Sequence, residues 1–135
     1  MRAVCDFAAQ PEAVRRAREF VASNLREWEC EPLIDTAVLL TSELVTNAIL
    51  HAQTGPTVRI HLTPNNLRVE VVDRGAGMPS KRDASPTELS GRGLALVDAM
   101  ASSWGVIEPS KQAEAPADAQ AAEPKVVWFE LSTVA

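Results

Sequence analysis

Glu43 and Asn47 stand four residues apart in Ser42-Glu43-Leu44-Val45-Thr46-Asn47. On a helix that spacing stacks two side chains on one face, one turn apart. Leu39, Leu40, Leu44, Val45, Ala48 and Ile49 around them are apolar. A carboxylate and an amide are costly in such company unless something satisfies them. An amide oxygen can ligate Mg²⁺, which keeps most of its waters and takes few protein ligands. A carboxylate one turn away can orient or deprotonate a nucleophile. The pair could equally be the solvent stripe of the helix, and the helix alone does not choose between these readings.

Two glycine-containing stretches follow. Asp73 opens Asp73-Arg74-Gly75-Ala76-Gly77-Met78-Pro79, where Gly75 and Gly77 allow a close backbone approach. A carboxylate there accepts hydrogen bonds only, which suits an exocyclic amine such as that of adenine. A plain turn in which Asp73 caps backbone amides is the alternative. Further on, Gly91-Arg92-Gly93-Leu94 opens a helix. Free N–H groups and the positive end of the helix dipole fit a phosphate chain there, and Arg92 adds a cationic fork. The same residues could be an ordinary helix start capped by Ser90. Neither a Walker A sequence nor a Rossmann fingerprint occurs in the chain.

The elements that must position these residues can be read from periodicity. Residues 3–8 are expected to form a short strand. Pro11-Glu12 starts a helix whose Val14, Ala17, Phe20, Val21 and Leu25 recur at helical spacing up to about Trp28. A second helix starts near Pro32, with Leu33, Ala37, Leu40, Leu44 and Ala48 along one stripe, and Thr54-Gly55-Pro56 breaks it. Its breadth of apolar surface predicts a central position. Val58, Ile60 and Leu62 alternate with Thr57, Arg59 and His61, and Leu67, Val69 and Val71 alternate with Arg68 and Glu70. These are two strands of a hairpin turned at Pro64-Asn65-Asn66. Residues 94–100 read as a short helix, and residues 104–107 and 126–131 as two more strands. Helices segregate from strands, which predicts an α+β domain: a two-layer α/β sandwich, its mixed and mostly antiparallel sheet bearing the helices on one face.

Length and composition set the outer bounds. The chain has 135 residues, enough for a single domain over 1–135. Hydrophobic residues are 46% and charged residues 23%, with a formal net charge of -5. That balance offers no basic face for nucleic acid, and the absence of tyrosine argues against a base-stacking platform. Cys5 and Cys30 lack metal or redox spacing and are expected to be reduced, partly buried thiols. The first residues show no apolar signal region, and no apolar run is read as approaching the ~20 residues that cross a bilayer. The expected location is therefore the cytoplasm, with no membrane partner. Residues 108–124 are an Ala/Pro/acid tract without an apolar face, expected to be a flexible insertion.

Taken in order, the acid-plus-amide helix, Asp-x-Gly-x-Gly after a hairpin, a loop, and Gly-x-Gly opening a helix resemble the GHKL (Bergerat-fold) ATP-binding domains over almost the whole chain. More narrowly, residues 42–52 are similar to the N box of bacterial anti-sigma-factor serine kinases, and residues 73–77 and 91–97 to their two glycine boxes. Val127-Trp128-Phe129-Glu130-Leu131 is similar to their last strand. The resemblance implies ATP and Mg²⁺ as cofactors. It gives Asn47 to the metal, Glu43 to catalysis as the base that activates an attacking hydroxyl, and Asp73 to the adenine amine. Gly75 and Gly77 would line the base. Gly91, Arg92, Gly93 and Leu94 would cradle phosphates under a lid over about residues 78–90. It also implies a serine/threonine protein kinase acting on an anti-anti-sigma (STAS-type) protein, sequestration of a sigma factor, and homodimers, which are common among such relatives. Many relatives carry a Thr on the last strand near the adenine, where this chain has Lys125-Val126-Val127. His51, four residues after Asn47, reads either as a group sensing phosphate or as a helix C-terminal histidine favoured by the dipole.

Three functions remain in view: a kinase that doubles as an anti-sigma factor, a nucleotide-gated module that binds a partner without phosphoryl transfer, and an α+β protein whose glycines are only turns.

Overall fold

The computed structural model describes residues 1–51, 55–73, 95–107 and 125–133. Strand β1 (Arg2–Asp6) leads into helix α1 (Glu12–Glu27). Pro11 occupies the N-cap, Glu12 lies in the first turn and Arg26 in the last, so both charges complement the helix dipole. Ala13, Ala17, Val21 and Leu25 recur every four residues and are buried. The helix ends in a two-bond cap. Glu29 N–H donates to the Arg26 carbonyl at 3.0 Å, and Cys30 N–H to the Leu25 carbonyl at 2.7 Å. Such a cap needs a left-handed residue, and Glu29 supplies it with φ 59° although it is not glycine.

Pro32 falls within a single 3-10 turn, Glu31–Leu33, so α2 (Ile34–His51) begins two residues later than the proline suggests. Ala37, Leu40, Leu44, Val45 and Ala48 form its buried face. The window Glu31–Leu50 has a mean hydropathy of 1.5 and is long and apolar enough to cross a membrane by length and composition. This corrects the reading that no run approaches that length. Thr36, Thr41, Ser42 and Thr46 break the stretch visually but barely lower its mean. Here the apolar face of this helix packs on α1 and on the sheet.

Strands β2 (Thr57–Leu62) and β3 (Asn66–Asp73) form the expected hairpin, and β4 (Ser103–Ile107) and β5 (Lys125–Ser132) complete the sheet. Residues 95–100 are helical, and Trp104 Nε1 donates to Asp98 at 2.8 Å, fastening that turn to β4. The sheet order is β1-β2-β3-β5-β4. Every pairing among the described strands is antiparallel, in line with the mostly antiparallel sheet expected. Both α-helices pack on one face. Leu67, Val69, Phe129 and Leu131 meet them there, while Arg68, Glu70, Trp128 and Glu130 point to the opposite face. The α+β two-layer architecture is as expected.

The outer face carries a continuous charge network. Arg68 Nε donates to Glu70 at 2.9 Å and Arg68 Nη1 to Glu130 at 3.0 Å, while Arg59 reaches Glu70 at 3.0 Å. The Arg68 guanidinium also lies 4.1 Å from the Trp128 ring centroid. Hydrogen bonds to Glu70 and Glu130 outweigh desolvation and raise the Arg68 pKa. Gly105 sits opposite Trp128, and a Cβ there would come within 2.8 Å of the indole.

Asp73 is paired with Lys125, Val72 with Thr57 and Val126, and Ile107 with Val126. The end of β3, the end of β4 and the start of β5 therefore share one end of the sheet. Residue 74 follows β3 there, and residues 108–124 connect the end of β4 to the start of β5. The expected lid and the expected insertion lie outside the described residues.

Candidate nucleotide site

The site builds on α2. At 100° per residue, Ala37, Leu40, Thr41, Leu44, Val45 and Ala48 gather on one buried face. Glu43 and Asn47 fall at its margin and are half-buried. The two sequence alternatives, buried polar pair and open solvent stripe, thus resolve to a position between them. In the same row, Leu39 stands one turn before Glu43 and Leu50 about one turn after Asn47. They are 38% and 59% exposed, so apolar surface flanks the polar pair on the open side of the helix. The sequence reading counted Leu39 only as part of the apolar surroundings and passed over Leu50.

Asp73 is brought to the same region by the sheet. The alternation of β3 puts it on the face of Leu67, Val69 and Val71, which is the face the helices cover. It is half-buried. The chain leaves α2 at His51 and re-enters the sheet at Thr57 opposite Val72, so a link of five residues joins the C-terminal end of α2 to the strand paired with the end of β3. Helical rise puts Asn47 about 6 Å and Glu43 about 12 Å back along the axis from that end.

Lys125 is a residue the sequence reading treated only as part of a departure. It pairs with Asp73, and it shares the helix-side face with Val127, which packs against the core. Val126 does not border the site. It points to the opposite face with Val72 and Ile107, so within Lys125-Val126-Val127 the helix-side positions are Lys125 and Val127. Counting back by twos from buried Leu131 and Phe129 would have revealed this.

Gly75, Gly77, Gly91, Arg92, Gly93 and Leu94 lie outside the described residues, as does the side chain of His51. Glu43, Asn47 and Asp73 are the proposed site residues whose positions the structure describes. Among the described residues no group of three or more His, Cys, Asp or Glu side chains gathers to hold a metal. A cavity of about 500 Å³ lies elsewhere, between β1 and α1, against Cys5, Phe7, Arg16 and Phe20. Phe7 and Phe20 meet edge-on there, with ring centroids 6.0 Å apart. Cys5 and Cys30 are free and half-buried, as expected, and burial pushes the Cys30 thiol up. Among the described residues, one buried side-chain polar atom lacks a partner: the Thr41 hydroxyl, on the core side of α2.

Two helices on one face of an antiparallel sheet, with an acid and an amide on the central helix and a carboxylate ending a central strand, define an α+β domain of the GHKL type. Over residues 7–113 the chain matches the family described as the histidine kinase-like ATPase domain, and it belongs to that family. Comparison with curated proteins gives no match. Membership makes this an ATP-binding type of domain, with Mg²⁺ as the usual companion of the nucleotide. The donor set fits both. Asn47 offers a neutral oxygen of the kind a Mg²⁺ held mostly by phosphates and water takes as a ligand.

Proposed function

We propose that the chain is an ATP-binding anti-sigma factor of the cytoplasm that also phosphorylates a serine or threonine of an anti-anti-sigma (STAS-type) protein. The observation that carries this reading is the half-buried pair Glu43 and Asn47, one turn apart on the open margin of the central helix of an ATPase-family domain. When bound, ATP supplies the γ-phosphoryl group and Mg²⁺ neutralises phosphate charge. Asn47 is assigned to the cation through its amide oxygen. Asp73 accepts the hydrogen bond of the adenine amine. Glu43 takes the proton of the attacking hydroxyl as its oxygen bonds to the γ-phosphorus and the bond to the ADP oxygen breaks.

A second reading has its own support. Leu39 and Leu50 leave apolar surface beside the polar pair, which suits a module that grips a partner according to nucleotide state without transferring phosphate. Labelled ATP and a STAS-type protein separate the two. Wild type is expected to transfer label, Glu43→Gln to lose transfer by about a hundredfold or more while ATP affinity holds, and Asn47→Ala to lose Mg²⁺-dependent ATP affinity. Transfer at the wild-type rate in Glu43→Gln overturns the assignment of the base. Tight ATP and partner binding by a wild type that transfers nothing establishes the second reading.

A further inference from the structure

The cavity of about 500 Å³ between β1 and α1 has the size of a small-molecule site and is lined by none of Glu43, Asn47 or Asp73. Its inner wall is apolar. Cys5 pairs with Val58 and so lies on the helix-side face of the sheet. Ala13 is buried, and Phe7 and Phe20 meet edge-on with ring centroids 6.0 Å apart. An edge-on pair leaves ring surface for a third apolar group.

The mouth of the cavity is charged. Glu12, Arg16 and Glu19 follow one another at spacings of four and three along α1, which puts them on one helix face. All three are exposed. That spacing invites ion pairs within the helix. Yet the ion pairs among the described residues join only Arg59, Arg68, Glu70 and Glu130. Both signs of charge therefore stand unpaired, one turn apart, above an apolar wall. A simple anion at Arg16 would be flanked by two carboxylates, and a simple cation at Glu19 would face Arg16. A ligand that carries both charges side by side meets neither repulsion.

We propose that this cavity binds a free α-amino acid with an apolar side chain, aromatic ones best. The ligand carboxylate takes the Arg16 guanidinium as a two-bond pair, the ligand ammonium donates to the Glu19 carboxylate, and the side chain fills the space against Cys5, Phe7 and Phe20. Glu19 takes the ammonium in preference to Glu12. The carboxylate of Glu12 lies in the first turn, where the helix dipole already stabilises it, whereas Glu19 is mid-helix. The closeness of the two charges selects a single amino acid over a peptide, whose terminal charges stand apart. The apolar wall selects against acidic and basic side chains.

The variants that test this touch none of Glu43, Asn47 or Asp73, so ATP affinity should hold in all of them, and the nucleotide reading stands or falls separately. Calorimetric titration of the full chain compares phenylalanine with phenethylamine, which lacks the carboxylate, with 3-phenylpropionate, which lacks the ammonium, and with alanine, which lacks the ring. Phenylalanine is expected to bind saturably with a Kd of about 1 mM or tighter, and each of the others about tenfold or more weakly. Arg16→Gln and Glu19→Gln should each weaken phenylalanine binding about tenfold, and Glu12→Gln by less than about threefold. A second measurement leaves the lining intact. In a Cys30→Ser background, phenylalanine should slow alkylation of Cys5 by iodoacetamide as it fills the cavity, and alanine at the same concentration should not. No saturable binding of phenylalanine by about 10 mM overturns the proposal. So does phenethylamine or 3-phenylpropionate binding as tightly as phenylalanine, unchanged affinity in Arg16→Gln, or an unchanged rate of Cys5 alkylation when phenylalanine saturates.

Discussion

Replacing Arg68 with methionine removes the junction between β3 and β5 on the outer face while keeping a long apolar stem. The guanidinium makes two ion-paired hydrogen bonds, at 2.9 and 3.0 Å, to Glu70 and Glu130, and covers Trp128 at 4.1 Å. Arg68, Glu70 and Glu130 are 26%, 20% and 27% exposed, so water screens the pairs only in part. Taking about 0.5–1 kcal/mol for each pair and a similar amount for the cation over the ring gives roughly 2 kcal/mol, once the packing that methionine retains is allowed for. For a chain of this size that is a fall of roughly 7 °C in Tm. Urea titration followed by tryptophan fluorescence, at low salt and at about 1 M salt, reads it directly. The gap between wild type and Arg68→Met should narrow in high salt, where screening has already weakened the pairs. Arg68→Lys should recover less than half, because a point charge cannot reach both carboxylates as the fork does. A low-salt difference below about 0.5 kcal/mol, or a gap that salt does not change, would refute the electrostatic account of this junction.

Two further outcomes follow from the described residues. Thr41→Val deletes a buried hydroxyl without a partner and should raise stability by about 1 kcal/mol, roughly 3–4 °C in Tm; a loss of stability in calorimetry would mean that the hydroxyl is bonded in solution. Asp73→Asn converts an acceptor-only group into one that also presents donors, so affinity for ATP should fall about tenfold or more while GTP affinity changes less. Equal ATP affinity in a titration of the two proteins would remove Asp73 from base recognition.

Much of this architecture could be read from the amino acids. The strict alternation from Thr57 to Leu62 placed β2 to the residue, and the apolar stripes of α1 and α2 placed both helices, because each element has one face to bury. What escaped depends on distant partners. The strand order, with β5 inserted between β3 and β4, follows from long-range pairing that no local pattern records. The 3-10 turn at Glu31–Leu33 escaped because a proline favours both kinds of helix start. Which of Lys125, Val126 and Val127 faces the helices was not legible, because motif alignment fixes a position along the chain but not the face it occupies. Register with Val72 and Ile107 decides that face. Glu43 and Asn47 were legible as a pair, since a helix fixes their relation, whereas the exposed flanks Leu39 and Leu50 required knowing which side of α2 the core claims.

The anchoring of residues 108–124 has an evolutionary reading. Ile107 and Lys125 sit on adjacent paired strands, so the ends of that connection are already together. Closure cost grows only with the logarithm of length, about 0.6 kcal/mol per doubling. New chain can therefore be written in at this point almost without thermodynamic resistance. That junction is also the sheet end that bears Asp73 and Lys125. A lineage can thus vary its length and charge beside the proposed nucleotide site, and so diversify what approaches it, while the sheet that holds the site is left unaltered.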